Sequence, residues 1–222
     1  MSVRDNAMME RYYRDRALEY DLFYGVPERH HDLAVLKSWL IEHARDRSIL
    51  EVATGTGYWT EAAATVAKAI TATDYNPETL AVAAQRKLGS NVTMRVADAF
   101  DLPEFPSAFD AGMAHMWWSH VSKHRRQEFL SHFASRLQPH AVLLMIDQVR
   151  VEGRTTPVSG HDEWGNQLTR RTLRSGATFE IIKNYPTAEE LKDDLAAVCE
   201  DIHVMVLPHF WALNARMRAR AG

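Results

Sequence analysis

The chain contains 222 residues, a length suited to one α/β domain and too short for two full-sized ones. Lys and Arg number 26 against 29 Asp and Glu, which gives a net charge of −3 with His neutral. No polybasic run is present, so a dedicated nucleic-acid-binding protein is not expected. Hydrophobic residues make up 46% of the chain, enough to bury a substantial core. The single cysteine, Cys199, excludes an intrachain disulfide framework.

Charges and short apolar runs bear on where the protein works. Charged residues recur through residues 1–20, where a secretory signal needs an unbroken apolar segment. The apolar run over 111–121 is too short to span a bilayer. A chain with one cysteine fits a reducing compartment. We therefore expect a cytoplasmic protein with no membrane partner and no nucleic-acid partner, present as a monomer or homodimer.

Helical periodicity dominates the first part of the chain. Aromatic and small residues recur at helical spacing over 9–24, which predicts an aromatic-faced helix: Tyr13, Ala17, Tyr20 and Tyr24. A second apolar period over 28–43 follows Pro27 and predicts another helix packed on the core. Together these segments predict an N-terminal helical cap over residues 1–46.

From Ser48 onward, short apolar strands alternate with helices. The predicted elements are a strand from 48, a helix over 58–68, strands over 69–74 and 92–98 around a helix over 77–88, and strands over 109–115 and 141–148 around a helix over 123–137. Such alternation is typical of a parallel, doubly wound sheet. We predict that residues 47–148 form the ligand-binding core.

The pattern loosens after Val149. Residues 151–167 are predicted to form an irregular excursion over the ligand side of the sheet. An extended pair over 169–173 and 178–183, a helix over 187–199 and a terminal hairpin over 202–207 and 211–217 follow. The whole chain thus predicts one α/β domain with a Rossmann-like, doubly wound, mostly parallel seven-stranded sheet. Residues 149–222 would supply its substrate-side segment and C-terminal antiparallel hairpin.

A strand, a glycine turn and a helix follow one another in ILEVATGTGYWT, Ile49–Thr60. Gly55 and Gly57 let a ligand approach the backbone where a side chain would clash. In a parallel sheet this turn lies at the carboxyl edge, where ligands bind. Asp74 ends the next strand, where its carboxylate can accept both hydroxyls of a ribose. These features predict a nucleotide-like ligand.

A second acid, Asp98, ends a later strand in RVADAF. Its carboxylate can accept a hydrogen bond from the exocyclic amine of an adenine lying between Tyr75 and Phe100. Two cofactors fit this arrangement, a nicotinamide dinucleotide and S-adenosylmethionine (SAM). The dinucleotide fingerprint GxGxxG needs a third small residue, and Thr60 stands in that position. The motif context favours SAM, with an NAD(P)-binding oxidoreductase and a non-catalytic cofactor-binding domain as alternatives.

The sequence resembles the class I SAM-dependent methyltransferases over about residues 49–148. LEVATGTG looks like the first motif of that family, with Ala53 in place of the usual first glycine. The resemblance implies SAM as cofactor and S-adenosylhomocysteine (SAH) as product. It implies cofactor contacts at Glu51, Ala53, Gly55, Gly57, Asp74, Tyr75, Asp98, Ala99, Phe100 and His115.

Two further segments, YYRDRALEYD and WWSHV, are similar to small-molecule methyltransferases in which an N-terminal helix covers the cofactor. This resemblance implies that Tyr12 and Tyr20 close over the cofactor. No NPPY or DPPY follows the fourth strand, and AHMWWSHV instead favours a small-molecule acceptor in a pocket walled by Trp117 and Trp118.

Aromatic and imidazole groups suggest the kind of acceptor. His161 and Trp164, in the loop after the fifth strand, are candidate acceptor contacts. With the two tryptophans they suggest a flat or heteroaromatic molecule with an N or O nucleophile. His115 and His120 end the fourth strand, where neutral imidazole can take a proton from that nucleophile. We therefore predict them as catalytic residues, and we predict no metal site.

Overall fold

The computed structural model describes the backbone of residues 3–219 and the side chains of residues 8–219. Residues 1 and 2 of the predicted cap lie outside the described residues. The helices are α1 (Val3–Arg16), α2 (His30–Ala44), α3 (Tyr58–Ala64), α4 (Pro77–Ala83), α5 (Arg126–Ala134) and α6 (Ala188–Leu195). The strands are β1 (Ser48–Val52), β2 (Ala69–Asp74), β3 (Val92–Val96), β4 (Phe109–His115), β5 (Leu137–Gln148), β6 (Val158–His161), β7 (Gln167–Thr172), β8 (Thr178–Ile182), β9 (Cys199–Val206) and β10 (Phe210–Met217).

Seven strands form the main sheet, in the order β3-β2-β1-β4-β5-β10-β9. The strands from β3 to β5 pair in parallel, and β10 pairs antiparallel with both β5 and β9. The predicted α/β fold, with its mostly parallel seven-stranded sheet and C-terminal hairpin, is confirmed. The strand order reverses between β1 and β4, and in open α/β sheets ligands bind at the carboxyl ends of the strands beside such a switch point.

Apolar side chains cover both faces of the main sheet. One cluster includes Trp118, Phe129 and Trp211, and the other includes Leu36, Leu40 and Phe210. All of these side chains are nearly or fully buried. None of the helices in residues 3–219 has both the length and the apolar character needed to cross a bilayer.

A second, three-stranded antiparallel sheet, β6-β7-β8, stands apart from the main sheet. It includes β6, which lies inside the segment expected to be irregular, so that prediction is wrong for Val158–His161. The small sheet packs against α1, where Tyr12 meets Phe179 with ring centroids 5.6 Å apart. The N-terminal helix is thereby held over the ligand edge of the main sheet.

Several helices end earlier than their apolar periods predict. The first α-helix stops at Arg16 and continues as a 3₁₀ helix over Ala17–Phe23. The helix predicted over 58–68 ends at Ala64, and the one predicted over 187–199 ends at Leu195. The turns that follow them still bury Ala67 and partly bury Val198 against the core. Periodicity alone therefore cannot separate the last helical turn from a buried connection.

Candidate active site

Two adjoining cavities open at the ligand edge of the sheet. The first, here called the glycine-turn chamber, is lined by residues of the turn after β1, the ends of β2 and β4 and the N-terminal cap, among them Glu51, Ala53, Gly55, Asp74, Asp98 and His115. The second, here called the basic cavity, lies between the cap, the end of β5 and the small sheet and is lined among others by Arg16, Arg29, Arg171 and Lys183.

The glycine turn has a left-handed backbone at three positions. Ala53, Gly55 and Gly57 have φ values of 51°, 57° and 74°. Gly57 also packs closely on α4, since an added Cβ would lie 3.1 Å from the Ala83 Cβ. Ala53 adopts this conformation despite its side chain, which costs about 1–2 kcal/mol. The backbones of Ala53 and Gly55 line the chamber, whereas Gly57 shapes the turn from behind.

Asp74 holds the glycine turn in place. Its Oδ2 accepts the Gly55 N–H at 2.8 Å, and its Oδ1 accepts the Asn76 N–H at 2.8 Å. The side chain lines the chamber and is almost fully buried. Each carboxylate oxygen has a further lone pair, so the group can still accept ribose hydroxyls. Its role in fixing the turn was not evident from the sequence.

Glu51 is a buried carboxyl at the floor of the chamber. Its Oε2 accepts the Thr60 hydroxyl at 2.7 Å, and the Thr60 oxygen lies 2.6 Å from the Thr54 hydroxyl. Burial raises the pKa of Glu51 to about 7. The group therefore changes charge close to neutral pH, and an adjacent ligand cation would favour its ionised form.

The residues predicted to surround an adenine lie along one part of the chamber. Asp98, Ala99, Phe100 and Tyr75 all line the chamber. The Phe100 N–H donates to Asp98 Oδ1 at 2.8 Å, which fixes this loop. Glu10, which no sequence motif marks, joins them from α1. Glu10 lies one helical turn before Tyr13 and so on the same face of α1, which could have predicted that it lines the chamber.

The N-terminal cap contributes tyrosines to both cavities. Tyr20 lines the chamber and the basic cavity, as does Tyr13. Tyr12 does not line the chamber: it is buried against the small sheet and lines only the basic cavity. Its hydroxyl accepts a hydrogen bond from Arg16 at 2.8 Å. The predicted contact of Tyr12 with the cofactor is therefore not formed in this arrangement.

His115 lines the chamber with both ring nitrogens buried and without a hydrogen-bond partner among the described side chains. The Trp117 Nε1, in the same wall, is also without a partner. A neutral imidazole offers one donor and one acceptor, and buried polar atoms of this kind are ordinarily paired. The chamber therefore has unused polar groups that fit a polar cofactor. Burial lowers the pKa of His115 to about 3, so its ring is neutral at physiological pH.

His120 is held by two hydrogen bonds. Its Nδ1 lies 2.6 Å from the Ile182 carbonyl oxygen, and its Nε2 lies 2.6 Å from the Tyr13 hydroxyl. Because a carbonyl only accepts, Nδ1 carries the proton and Nε2 accepts from Tyr13. Burial, followed by the nearby positive charge of Lys183, lowers the pKa of His120 to about 3.

Stability is expected to decrease on acidification below about pH 6.5 because both histidines are buried as neutral rings. The unfolded chain protonates them near 6.5, whereas their folded pKa values are about 3. The unfolded state therefore binds more protons in this window, and each His lowers the free energy of unfolding by ~2 kcal/mol at about pH 5. Glu51 has the opposite effect, because its pKa is raised to about 7 in the folded state. Acidification from about pH 7 towards its ordinary pKa therefore raises its contribution to the free energy of unfolding.

A His115→Gln variant isolates the imidazole contribution. Urea unfolding at about pH 7 and about pH 5 should show a smaller loss on acidification for this variant than for the wild type. His161→Gln is the matched control, because that side chain is exposed. An equal loss of unfolding free energy on acidification in the wild type and His115→Gln would show that His115 is not buried as a neutral ring.

Three predicted acceptor contacts lie away from both cavities. Trp118 is fully buried in the core and packs on Phe129 with ring centroids 6.3 Å apart. Trp164 is half exposed and stacks on His124, and His161 is exposed at the end of β6. The predicted wall of Trp118 is therefore wrong. Trp117 does line the chamber, beside Phe100.

Four residues line both cavities and form the wall between them: Tyr13, Tyr20, Met116 and His120. Met116 follows β4 directly and has a φ of 55°, a strained value for a residue with a side chain. Its N–H donates to the Ile146 carbonyl at 2.6 Å, which holds this conformation. A ligand in the chamber and a ligand in the basic cavity would meet at this shared wall.

Solved structures similar to this chain include complexes with SAM and with SAH. A family model described as a methyltransferase domain matches residues 49–140. DhpI in complex with SAH matches the structure with a TM-score of 0.82 and 30% identity, over 99% of this chain and 100% of DhpI. The chain belongs to the class I SAM-dependent methyltransferases. SAM is accordingly the cofactor of this methyltransferase, as the sequence predicted, and the unused polar groups of the chamber fit it.

Two further solved structures are similar to this methyltransferase. DhpI in complex with SAM and HEP matches with a TM-score of 0.79 and 29% identity, over 97% of this chain and 99% of DhpI. The [4+2]-cyclase SpnF has a TM-score of 0.60 and 20% identity, over 83% of this chain and 81% of SpnF. No curated protein sequence matches the chain. Because SpnF is described as a cyclase, the fold by itself does not fix the reaction, and the acceptor has to be argued from the site.

Proposed function

We propose that this methyltransferase transfers a methyl group from SAM to an N or O nucleophile of a small molecule. The observation that carries the proposal is the shared wall of Tyr13, Tyr20, Met116 and His120 between two separate cavities. One cavity offers groups for a nucleoside, and the other offers charged and phenolic groups for a second ligand. The DhpI structure that contains both SAM and HEP supports an arrangement with two ligands.

The residues of the chamber would hold the cofactor by ordinary complementarity. Asp74 would accept the ribose hydroxyls, Asp98 would accept the adenine amine, and Glu51 would face the cationic amino group. When bound, SAM supplies an electrophilic methyl group on a sulfonium sulfur. The chain's contribution is then to position the acceptor in line with that group and to exclude water.

Tyr13 and Tyr20 suit the surroundings of a sulfonium. Burial raises the pKa of both phenols, so the rings are neutral at physiological pH. Aromatic ring faces attract cations by about 0.5–2 kcal/mol. The two tyrosines would therefore favour the cationic cofactor over its neutral product SAH.

His120 is the better placed of the two predicted catalytic histidines, because it lines both cavities whereas His115 lines only the chamber. Its Nε2 accepts from Tyr13, so an acceptor hydroxyl or amine could take the place of that phenol. A ring with a pKa of about 3 is a weak base. We therefore propose that His120 mainly orients the nucleophile and takes its proton as the new bond forms.

The heteroaromatic character expected of the acceptor is not retained. That expectation depended on Trp117, Trp118, His161 and Trp164, and three of these side chains lie away from both cavities. What remains is a small acceptor enclosed between the cap and the small sheet.

Thermal unfolding with each of SAM, SAH and NAD tests the cofactor half of the proposal. SAM and SAH should raise the melting temperature, whereas NAD should leave it unchanged. Incubation of the enzyme and SAM with small molecules grouped by nucleophile then tests the acceptor half, with SAH formation and product mass as readouts. Stabilisation by SAH without turnover of any N or O nucleophile would contradict the proposed reaction.

A further inference from the structure

The basic cavity has an unusual balance of charge for a chain with a net charge of −3. Among the residues whose side chains are described, five cations and one carboxylate, Glu28, line it: the cations are Arg16, Arg29, Arg154, Arg171 and Lys183. Glu28 is already paired with Arg154 at 2.8 Å, and Lys183 is paired with Asp147 at 3.0 Å. Three arginines remain.

Arg16, Arg29 and Arg171 contact only neutral groups. Arg16 donates to the Tyr12 hydroxyl at 2.8 Å, Arg29 donates to a backbone carbonyl at 2.6 Å, and Arg171 donates to a threonine hydroxyl. Within residues 8–219, where side chains are described, no carboxylate forms an ion pair with any of the three.

These three arginines come from separate parts of the chain. Arg16 ends α1, Arg29 ends the short 3₁₀ helix before α2, and Arg171 lies on β7. All three side chains are partly shielded from solvent. Burial lowers the pKa of Arg29, the Glu28 carboxylate partly offsets this, and the positive charges of Arg16 and Arg171 lower it further. Folding therefore brings like charges together around one cavity, an unfavourable arrangement that a bound anion would relieve.

Two further polar atoms in this cavity lack partners. Among the described residues, neither the buried Arg171 Nε nor the buried Tyr185 hydroxyl has a hydrogen-bond partner of good geometry, although Arg171 lies near enough to Tyr185 to favour the ionised form of that phenol. Each is a donor, and each belongs to a residue that lines the cavity. Guanidinium groups bind carboxylate and phosphate oxygens through paired N–H donors. An oxyanion would satisfy these donors and the arginine charges together.

We propose that the basic cavity binds an oxyanion group of the methyl acceptor, either a phosphate-type or a carboxylate group, through Arg16, Arg29 and Arg171. This inference rests on the proposed function, because it places the acceptor beside the wall shared with the chamber. The cavity encloses about 330 Å³, enough for a small molecule. The acceptor is thereby a small anion, and its charge complements the cationic cofactor.

The test measures anion binding without any turnover. Thermal unfolding is followed with sodium phosphate, sodium acetate and sodium chloride at equal ionic strength, with and without SAH. Phosphate, acetate or both should stabilise the wild type more than chloride does. Stabilisation by phosphate alone indicates a tetrahedral group on the acceptor, and stabilisation by acetate alone indicates a carboxylate.

Arg171→Gln is the test variant, and Arg170→Gln is its matched control. Arg170 precedes it on β7, is exposed and lies outside the lining of the cavity. Anion affinity, from the dependence of melting temperature on concentration, should decrease about tenfold or more in Arg171→Gln and stay unchanged in Arg170→Gln. Arg171→Lys keeps the charge but loses the paired N–H donors of the guanidinium, so its anion affinity should lie between those of the two glutamine variants.

Equal protection of the wild type by chloride, phosphate and acetate would overturn the inference, as would undiminished protection of a folded Arg171→Gln. Parallel titration with SAH separates this failure from that of the proposed function. SAH binding without anion binding would overturn the oxyanion site alone. Anion binding without SAH binding would overturn the proposed function and leave the anion site standing.

Discussion

Asp74→Ala is expected to weaken SAH binding by about 2–4 kcal/mol, roughly 30- to 1,000-fold in affinity. Two losses combine in this variant. The first is the charged acceptor for the ribose hydroxyls. The second is the anchor for the Gly55 and Asn76 N–H groups, each bonded to this carboxylate at 2.8 Å. Without that anchor, the turn that lines the chamber would lose its fixed shape.

Isothermal titration with SAH measures this loss directly. Asp74→Asn, which keeps the side-chain shape and one acceptor oxygen, should bind with intermediate affinity. Asp193→Asn is the control, because Asp193 is exposed on α6 and lies outside both cavities. An unchanged dissociation constant for a folded Asp74→Ala would show that Asp74 does not hold the cofactor.

Lys183→Met is expected to lower the free energy of unfolding by about 3–5 kcal/mol. Lys183 Nζ lies 3.0 Å from Asp147 Oδ1 and 2.6 Å from the Ser119 hydroxyl, and both charged side chains are almost completely buried. Burial disfavours ionisation of Asp147, but Lys183, with help from His120 and from the N–H groups of Ser119 and Gln148, outweighs it, so the pKa of Asp147 is lowered. Removing the ammonium leaves a buried carboxylate without its counter-ion.

Urea unfolding tests this prediction, with the exposed Lys192→Met as control. The double variant Lys183→Met/Asp147→Asn should recover part of the loss, because it removes both charges of the buried pair. A Lys183→Met protein within about 1 kcal/mol of the wild type would contradict this account, since surface substitutions have effects of that size.

The central strands of the main sheet could be predicted because they are largely buried on both faces. Ile49, Leu50 and Val52 form a short apolar segment interrupted by Glu51, and the glycine turn after it marks the ligand edge. The small sheet could be predicted only in part, because the extended pair predicted over 169–173 and 178–183 corresponds to β7 and β8 whereas β6 was missed. Its first strand, Val158–His161, is short, contains a glycine and buries none of its side chains completely, so it carries no clear period.

The chamber could be predicted from local sequence motifs, whereas the basic cavity could not. The residues around Asp74 and Asp98 belong to local motifs, and the sequence places them together because parallel strands share one edge. Arg16, Arg29 and Arg171 carry no local signal, since the third lies far along the chain on a different sheet. For Trp118 the sequence predicted a site residue that the structure places elsewhere. Its type suggested a pocket wall, but the 3₁₀ turn after β4 directs it into the core.

A crystal structure of the protein with SAH tests the central claim most directly. We expect the ribose hydroxyls within hydrogen-bond distance of Asp74 and the sulfur at the wall of Tyr13, Tyr20, Met116 and His120, facing the basic cavity. SAH bound elsewhere, or with its sulfur turned away from the basic cavity, would contradict the claim that the two cavities serve one methyl transfer.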